Sequence, residues 1–168
     1  MYQTMRQCLT GYKAAHHNPR RLMKTKFQKA FMQCAHTFAQ LSHAKRAQVG
    51  CIIVKDNRII SIGYNGMPSG WDNNCEDHTI DEQGTTQLRS KPEVLHAETN
   101  AIAKVARSSE SCHNAYLFCT HMPCLDCAKI IHQSGIQTVY YDHDYVARKG
   151  SGKDFLSESG IEVIQVCV

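Results

Sequence analysis

Residues 116–141 read YLFCTHMPCLDCAKIIHQSGIQTVYY. Residues 116–119 form a short apolar, aromatic-rich run of strand length, and residues 124–132 space their apolar positions as a helix does. Gly135 suits the end of that helix, and residues 139–141 form the next strand. Working outward, residues 97–106 are helical, with Ala97, Ala101, Ile102 and Val105 on one side. Residues 49–54 and 58–64 are β-rich runs flanking a Lys55-Asp56-Asn57 turn, which predicts a hairpin. Residues 27–41 set Phe27, Phe31, Cys34, Ala35, Phe38 and Leu41 near one helical stripe. Downstream, residues 151–159 predict a helix stopped by Gly160, and residues 161–166 a closing strand. The order is helix, two strands, then helix and strand in alternation, which predicts an α/β fold with a mixed sheet covered by helices. Residues 65–93 are rich in Gly, Asn, Asp and Thr and have no sustained apolar period. A loop of that length in a compact domain is usually functional or disordered.

The chain has 168 residues, enough for one domain with a real core. Residues 1–24 read as an irregular N-terminal arm and 25–168 as the domain. No run approaches the length of apolar residues that spans a bilayer, and the N-terminus lacks a secretory apolar segment. These features predict a cytoplasmic protein with no membrane partner. Residues 1–55 hold ten Lys or Arg and no Asp or Glu, while the remainder is net acidic. That third of the chain is suited to attract phosphates, or is simply a solvated basic surface. An acid-poor, basic start is also a feature of mitochondrial transit peptides, but residues 28–41 read as part of the fold. Nine cysteines, two of them in a CxxC, suit metal or redox chemistry in a reducing compartment.

The chemistry concentrates in His96-Ala97-Glu98, Pro123-Cys124 and Asp126-Cys127. A catalytic zinc takes three protein ligands and keeps one position open. One imidazole and two thiolates meet that need. Cys124 and Cys127 are three residues apart at a helix start, so they share a face. His96 and Glu98 are two apart and cannot share a lateral face, but they can converge at a helix N-terminus. Two helix N-termini aimed at one metal would also favour thiolates. Glu98 is then the proton carrier, taking a proton from water acidified by the metal and passing it to a ring nitrogen and a leaving amine. H-x-E with P-C-x-x-C is a known signature of zinc deaminases. Each piece alone is weak: a CxxC opening a helix also fits a redox site. A closed, purely structural zinc would need a fourth ligand; Cys112 and Cys119 are near in sequence, but Cys119 sits in an apolar strand.

HAETNA (96–101) with THMPCLDCAK (120–129) resembles the cytidine deaminase superfamily. QVGCIIV (48–54) and GYNGMPSG (63–70) make it similar to the deoxycytidylate (dCMP) deaminases. The resemblance runs from about Phe27 to the C-terminus. It implies a three-layer α/β/α sandwich around a five-stranded mixed sheet, and zinc-dependent conversion of dCMP and water to dUMP and ammonia. It implies substrate contacts at Asn65, Gly66, Ala97 and Tyr145, and a hexamer activated by dCTP and inhibited by dTTP with Mg²⁺. Arg46, Gly63, Asn65 and Gly70 are the effector-site candidates, with Arg107 at a subunit or effector contact. A second zinc in some relatives makes Cys75 and His78 candidate ligands, with His43 or Glu93 as partners. GYNG is also an ordinary turn after a strand. A tRNA or polynucleotide deaminase is the rival within the family; the GYNGMPSG loop and an aromatic content of 8% argue against nucleic acid as partner. A CxxC redox or zinc-structural protein is the rival outside it.

Overall fold

The computed structural model describes residues 22–80, 82–145 and 150–168. Residues 1–21 of the expected arm lie outside them. Met23 is buried against the helix that follows, where its carbonyl accepts from Gln28 Nε2 at 2.7 Å.

Helix α1 (Thr25–Ala39) leads into β1 (Gly50–Lys55) and β2 (Arg58–Tyr64). Asp56 and Asn57 join these strands with φ of 50° and 57°, the left-handed pair of a two-residue hairpin turn. After β2 come β3 (Glu76–Ile80), β4 (Thr86–Ser90), α2 (Ala97–Ala106) and β5 (Tyr116–His121). The chain then runs through α3 (Leu125–Gln133), β6 (Thr138–His143), α4 (Gly152–Glu158) and β7 (Glu162–Gln165). The main sheet has the order β2-β1-β5-β6-β7. β1 is antiparallel to both neighbours, while β5, β6 and β7 are parallel, so the sheet is mixed as expected.

Alternation along the central strands divides the core in two. Cys51, Ile53, Leu117, Cys119, Val139 and Tyr141 face the side covered by α2, α3 and α4. Ile52, Val54, Phe118 and Tyr140 face α1, where Met32 and Ala35 meet them. Phe118 and Tyr140 stack with centroids 4.5 Å apart, an arrangement that contributes about 1 kcal/mol beyond area burial. Strands buried on both faces explain why these runs are continuously apolar.

Two expectations are corrected. Leu41 is not on the α1 stripe: the helix ends at Ala39 and Leu41 is half exposed. The span 65–93 is not one loop, because β3 and β4 pair antiparallel within it, from Glu76↔Ser90 to Ile80↔Thr86. Of β3, only Glu76 is buried, so neither face of the hairpin carries the apolar alternation that marks a strand.

Gly63 sets where α2 sits. A Cβ on Gly63 would fall on the Ala97 carbonyl oxygen and lie 2.6 Å from Ala101 N, so only a glycine lets the first turn of α2 rest on β2. Gly63→Val should destabilise the fold by roughly 1–3 kcal/mol or more through overpacking. It should also lower metal content, as read by thermal unfolding and elemental analysis on the same preparation.

Candidate active site and metal centre

Both expected helix starts exist. His96 is the N-cap of α2 and Cys124 the N-cap of α3, each extended (ψ 151° and 168°) and neither capping its helix with its own side chain. The free side chains turn toward each other instead. His96 Nδ1 lies 3.5 Å from Cys124 Sγ and 3.3 Å from Cys127 Sγ. The three donor atoms lie within 4.8 Å of one another. Cys127, in the first turn of α3, is almost fully buried, and Cys124 is part exposed.

The electrostatics suit a dication. The Cys127 thiol and the His96 imidazole hold Cys124 down to about 4, while the hydrogen bond to Cys124 and burial push the Cys127 thiol up. The Cys124 contact raises His96. Two sulfurs thus hold one negative charge and one proton, and a dication that displaces the proton gains both thiolates. One imidazole and two sulfurs are a borderline-soft set that fits zinc with a position to spare. Cys112 and Cys119 do not join the group; Cys119 is fully buried core, as its strand pattern implied.

Glu98 is in the first turn of α2 and 4% exposed. Burial raises its pKa, and its own backbone N–H, His96 and the Cys127 thiol pull the other way. It is not one of the three donors, so it remains available to carry protons.

The group opens into a cleft of about 320 Å³. Asn65, Ala97 and Tyr145 line this cleft, and Arg46 lines both it and an adjoining groove. The Asn65 side chain also holds the cleft wall: Oδ1 accepts from Val49 N at 2.8 Å and Nδ2 donates to Ala47 O at 2.9 Å. Arg46 Nη1 donates to Ser90 Oγ at 3.0 Å, and the Arg46 and Lys45 amides both donate to the buried Glu76 carboxylate.

Other candidates fall elsewhere. Gly66 exchanges backbone hydrogen bonds with Leu95 and pins the lead-in to α2, but does not line the cleft. Gly63 is buried under α2, and Gly70 (φ 89°) lies in an exposed turn. Arg107 is the C-cap of α2, about 15 Å along the helix from the His96 end. Cys75 is buried and His78 exposed, and among the described residues they join no group of three metal-ligating side chains, with or without His43 or Glu93. The sequence reading missed Ser90, Lys91, Pro92, Val94, His121 and Met122, which complete the cleft lining. Ser90 ends a hairpin with no apolar signal, and Lys91, Pro92 and Val94 follow it. His121 ends β5 and Met122 follows it, where a strand end next to the CxxC helix was the available clue.

The chain matches the cytidine and deoxycytidylate deaminase zinc-binding region over residues 25–143. It belongs to the cytidine and deoxycytidylate deaminase family. The deoxycytidylate deaminase of Enterobacteria phage T2 is 36% identical over 169 residues, covering 80% of this chain and 89% of that one. An uncharacterized deaminase from Aliivibrio fischeri is also 36% identical, covering 84% and 94%. The crystal structure of dCMP deaminase from cyanophage S-TIM5 in complex with dCMP and dUMP is 45% identical. It covers 86% of this chain and 99% of its own, with a TM-score of 0.74. The three-layer fold with a mixed five-stranded sheet is the fold of these deaminases.

His96→Ala should lose the family's zinc, measured by elemental analysis, while Glu98→Gln should retain it. The metal-free protein gives a pH test of Glu98. Its folded pKa lies above the ordinary value of about 4.5, so the folded state binds the extra proton and stability falls as pH rises through the raised pKa. Metal-free Glu98→Gln should therefore melt above the metal-free parent at neutral pH, and the two should converge below pH 4.5. Equal melting at both pH values would count against a strained buried carboxylate.

Proposed function

We propose that this chain is a zinc-dependent dCMP deaminase, converting dCMP and water to dUMP and ammonia. One observation carries the reading. A buried carboxylate outside the ligand set stands beside an imidazole and two thiols at the head of a cleft sized for one nucleotide, in a chain 45% identical to a dCMP deaminase solved with dCMP and dUMP.

His96, Cys124 and Cys127 would hold the zinc, which when bound supplies Lewis acidity that brings water's pKa toward about 7. Glu98 takes a proton from the attacking water at its carboxylate oxygen and delivers it to the cytosine ring nitrogen N3. It then carries the second proton of that water to the exocyclic amine, which leaves as ammonia. Burial suits Glu98 to this shuttle, because a raised pKa brings its two states closer in energy near neutral pH. Ala97, at the first position of α2, presents a helix N-terminal amide to the pyrimidine carbonyl. Asn65 meets the deoxyribose and Tyr145 closes the cleft mouth. Gly66 supports the substrate loop through its bridge to Leu95.

We further propose activation by dCTP and inhibition by dTTP with Mg²⁺ in a hexamer. Arg46, reaching from the cleft to the adjoining groove, is suited to a phosphate of either substrate or effector. A free-nucleotide substrate, pyrimidine metabolism and eight free cysteines among the described residues fit a cytoplasmic enzyme.

A panel of dCMP, CMP, cytidine and single-stranded oligonucleotide, run with and without dCTP and dTTP, tests the reading. dCMP should turn over fastest, Glu98→Gln should lose roughly 10²–10⁴-fold in kcat with zinc retained, and dTTP should suppress turnover. Preference for the oligonucleotide would replace the substrate assignment; hyperbolic kinetics blind to both triphosphates would remove the regulation.

A further inference from the structure

A second group of metal-ligating side chains lies on the α1 side of the sheet, away from α2 and α3. His36 on α1 places Nε2 2.7 Å from Asp142 Oδ2, and His143 places Nε2 3.9 Å from the same oxygen. All three donor atoms lie within 4.8 Å of one another. The Asp142 carboxylate is only 6% exposed, and its main-chain oxygen is already held by Gln165 Nε2 at 2.8 Å. Its charge is therefore met, among the described residues, by imidazoles and by no Lys or Arg. A cation shared by all three side chains would be held by this buried carboxylate and two imidazoles together.

We propose that His36, Asp142 and His143 form a second metal site for a borderline divalent transition cation such as Zn²⁺, Co²⁺ or Ni²⁺. Two imidazoles and a carboxylate are the ligand set such ions select, and hard Mg²⁺ or Ca²⁺ would not. Tetrahedral ligands at about 2.0–2.2 Å from an ion stand roughly 3.3–3.6 Å apart. The His36–Asp142 pair must open by roughly 0.6–0.9 Å and His143 must close by roughly 0.3–0.6 Å. His143 is 58% exposed and free to make that movement. The site is anchored on a helix and on the end of a central strand, which gives two of its ligands a rigid frame. The His143 ring packs edge-on against His121 at 5.3 Å, and His121 lines the catalytic cleft, so the second ion would lie one side chain behind the cleft wall.

The test titrates enzyme carrying one zinc per chain with Co²⁺. The expected result is one further equivalent per chain, bound without a thiolate-to-cobalt charge-transfer band, because its ligands are nitrogen and oxygen. His36→Gln and His143→Gln should each weaken that equivalent by about tenfold or more, and the double variant should abolish it. Both variants should keep the first zinc and its turnover. The proposal is overturned if no further equivalent binds, if it binds with a thiolate band that places it on cysteine, or if the two variants bind it as the parent does. An unstable His36→Gln leaves His143→Gln, on a solvent-facing side chain, to decide.

Discussion

Two helix N-termini must meet at one point for anything else in this protein to work. Neither His96 nor Cys124 spends its side chain on capping its own helix, so each is free for the other. That meeting is fixed by backbone packing. The first turn of α2 lies against β2 because Gly63 offers no Cβ, and α3 starts where β5 ends, through Met122 and Pro123. The sheet carries both helices on the same face, so the separation of the two starts is set by the spacing of β2, β1 and β5. Side-chain chemistry is added last, to a geometry that main-chain contacts already impose.

Different forces act on neighbouring groups. The two sulfurs share a proton through their mutual hydrogen bond, and burial pushes Glu98 toward its neutral form. A cation satisfies the first tendency, and a substrate that needs a proton satisfies the second. The cleft beyond them is more polar and more exposed. Its walls come from the strand-end loops and from the hairpin, held by side chain to main chain bonds at Asn65, Glu76 and Arg46. A fixed reacting end and a loosely framed binding end are thus built from different parts of the chain.

Legibility in the sequence follows the same division. The strands of the main sheet are buried on one or both faces, so their composition announces them. The ligand set was readable because its spacing is dictated by the helix, and the helix starts occur where spacing required. Gly63 and Gly66 were read as parts of a ligand loop, and the structure adds a packing role to each: one makes room for a helix and the other pairs with Leu95. Glycines of contact and glycines of packing look alike in one dimension. The β3–β4 hairpin was invisible for a physical reason: its strands hold each other through main-chain bonds, and main-chain bonds leave no trace in residue type. Ser90 and Lys91 were lost with it. His36 and Asp142 lie 106 positions apart and share no motif, so only the fold could bring them together.

That hairpin has an implication for how such a protein can diversify. It forms a two-stranded unit outside the main sheet, and Glu76 is its buried anchor. Lengthening or recomposing its tip would act outside the five-stranded sheet, which β3 and β4 do not join. New tastes in guest molecules could therefore arise at this rim by insertion or drift while the reacting centre stays as it is.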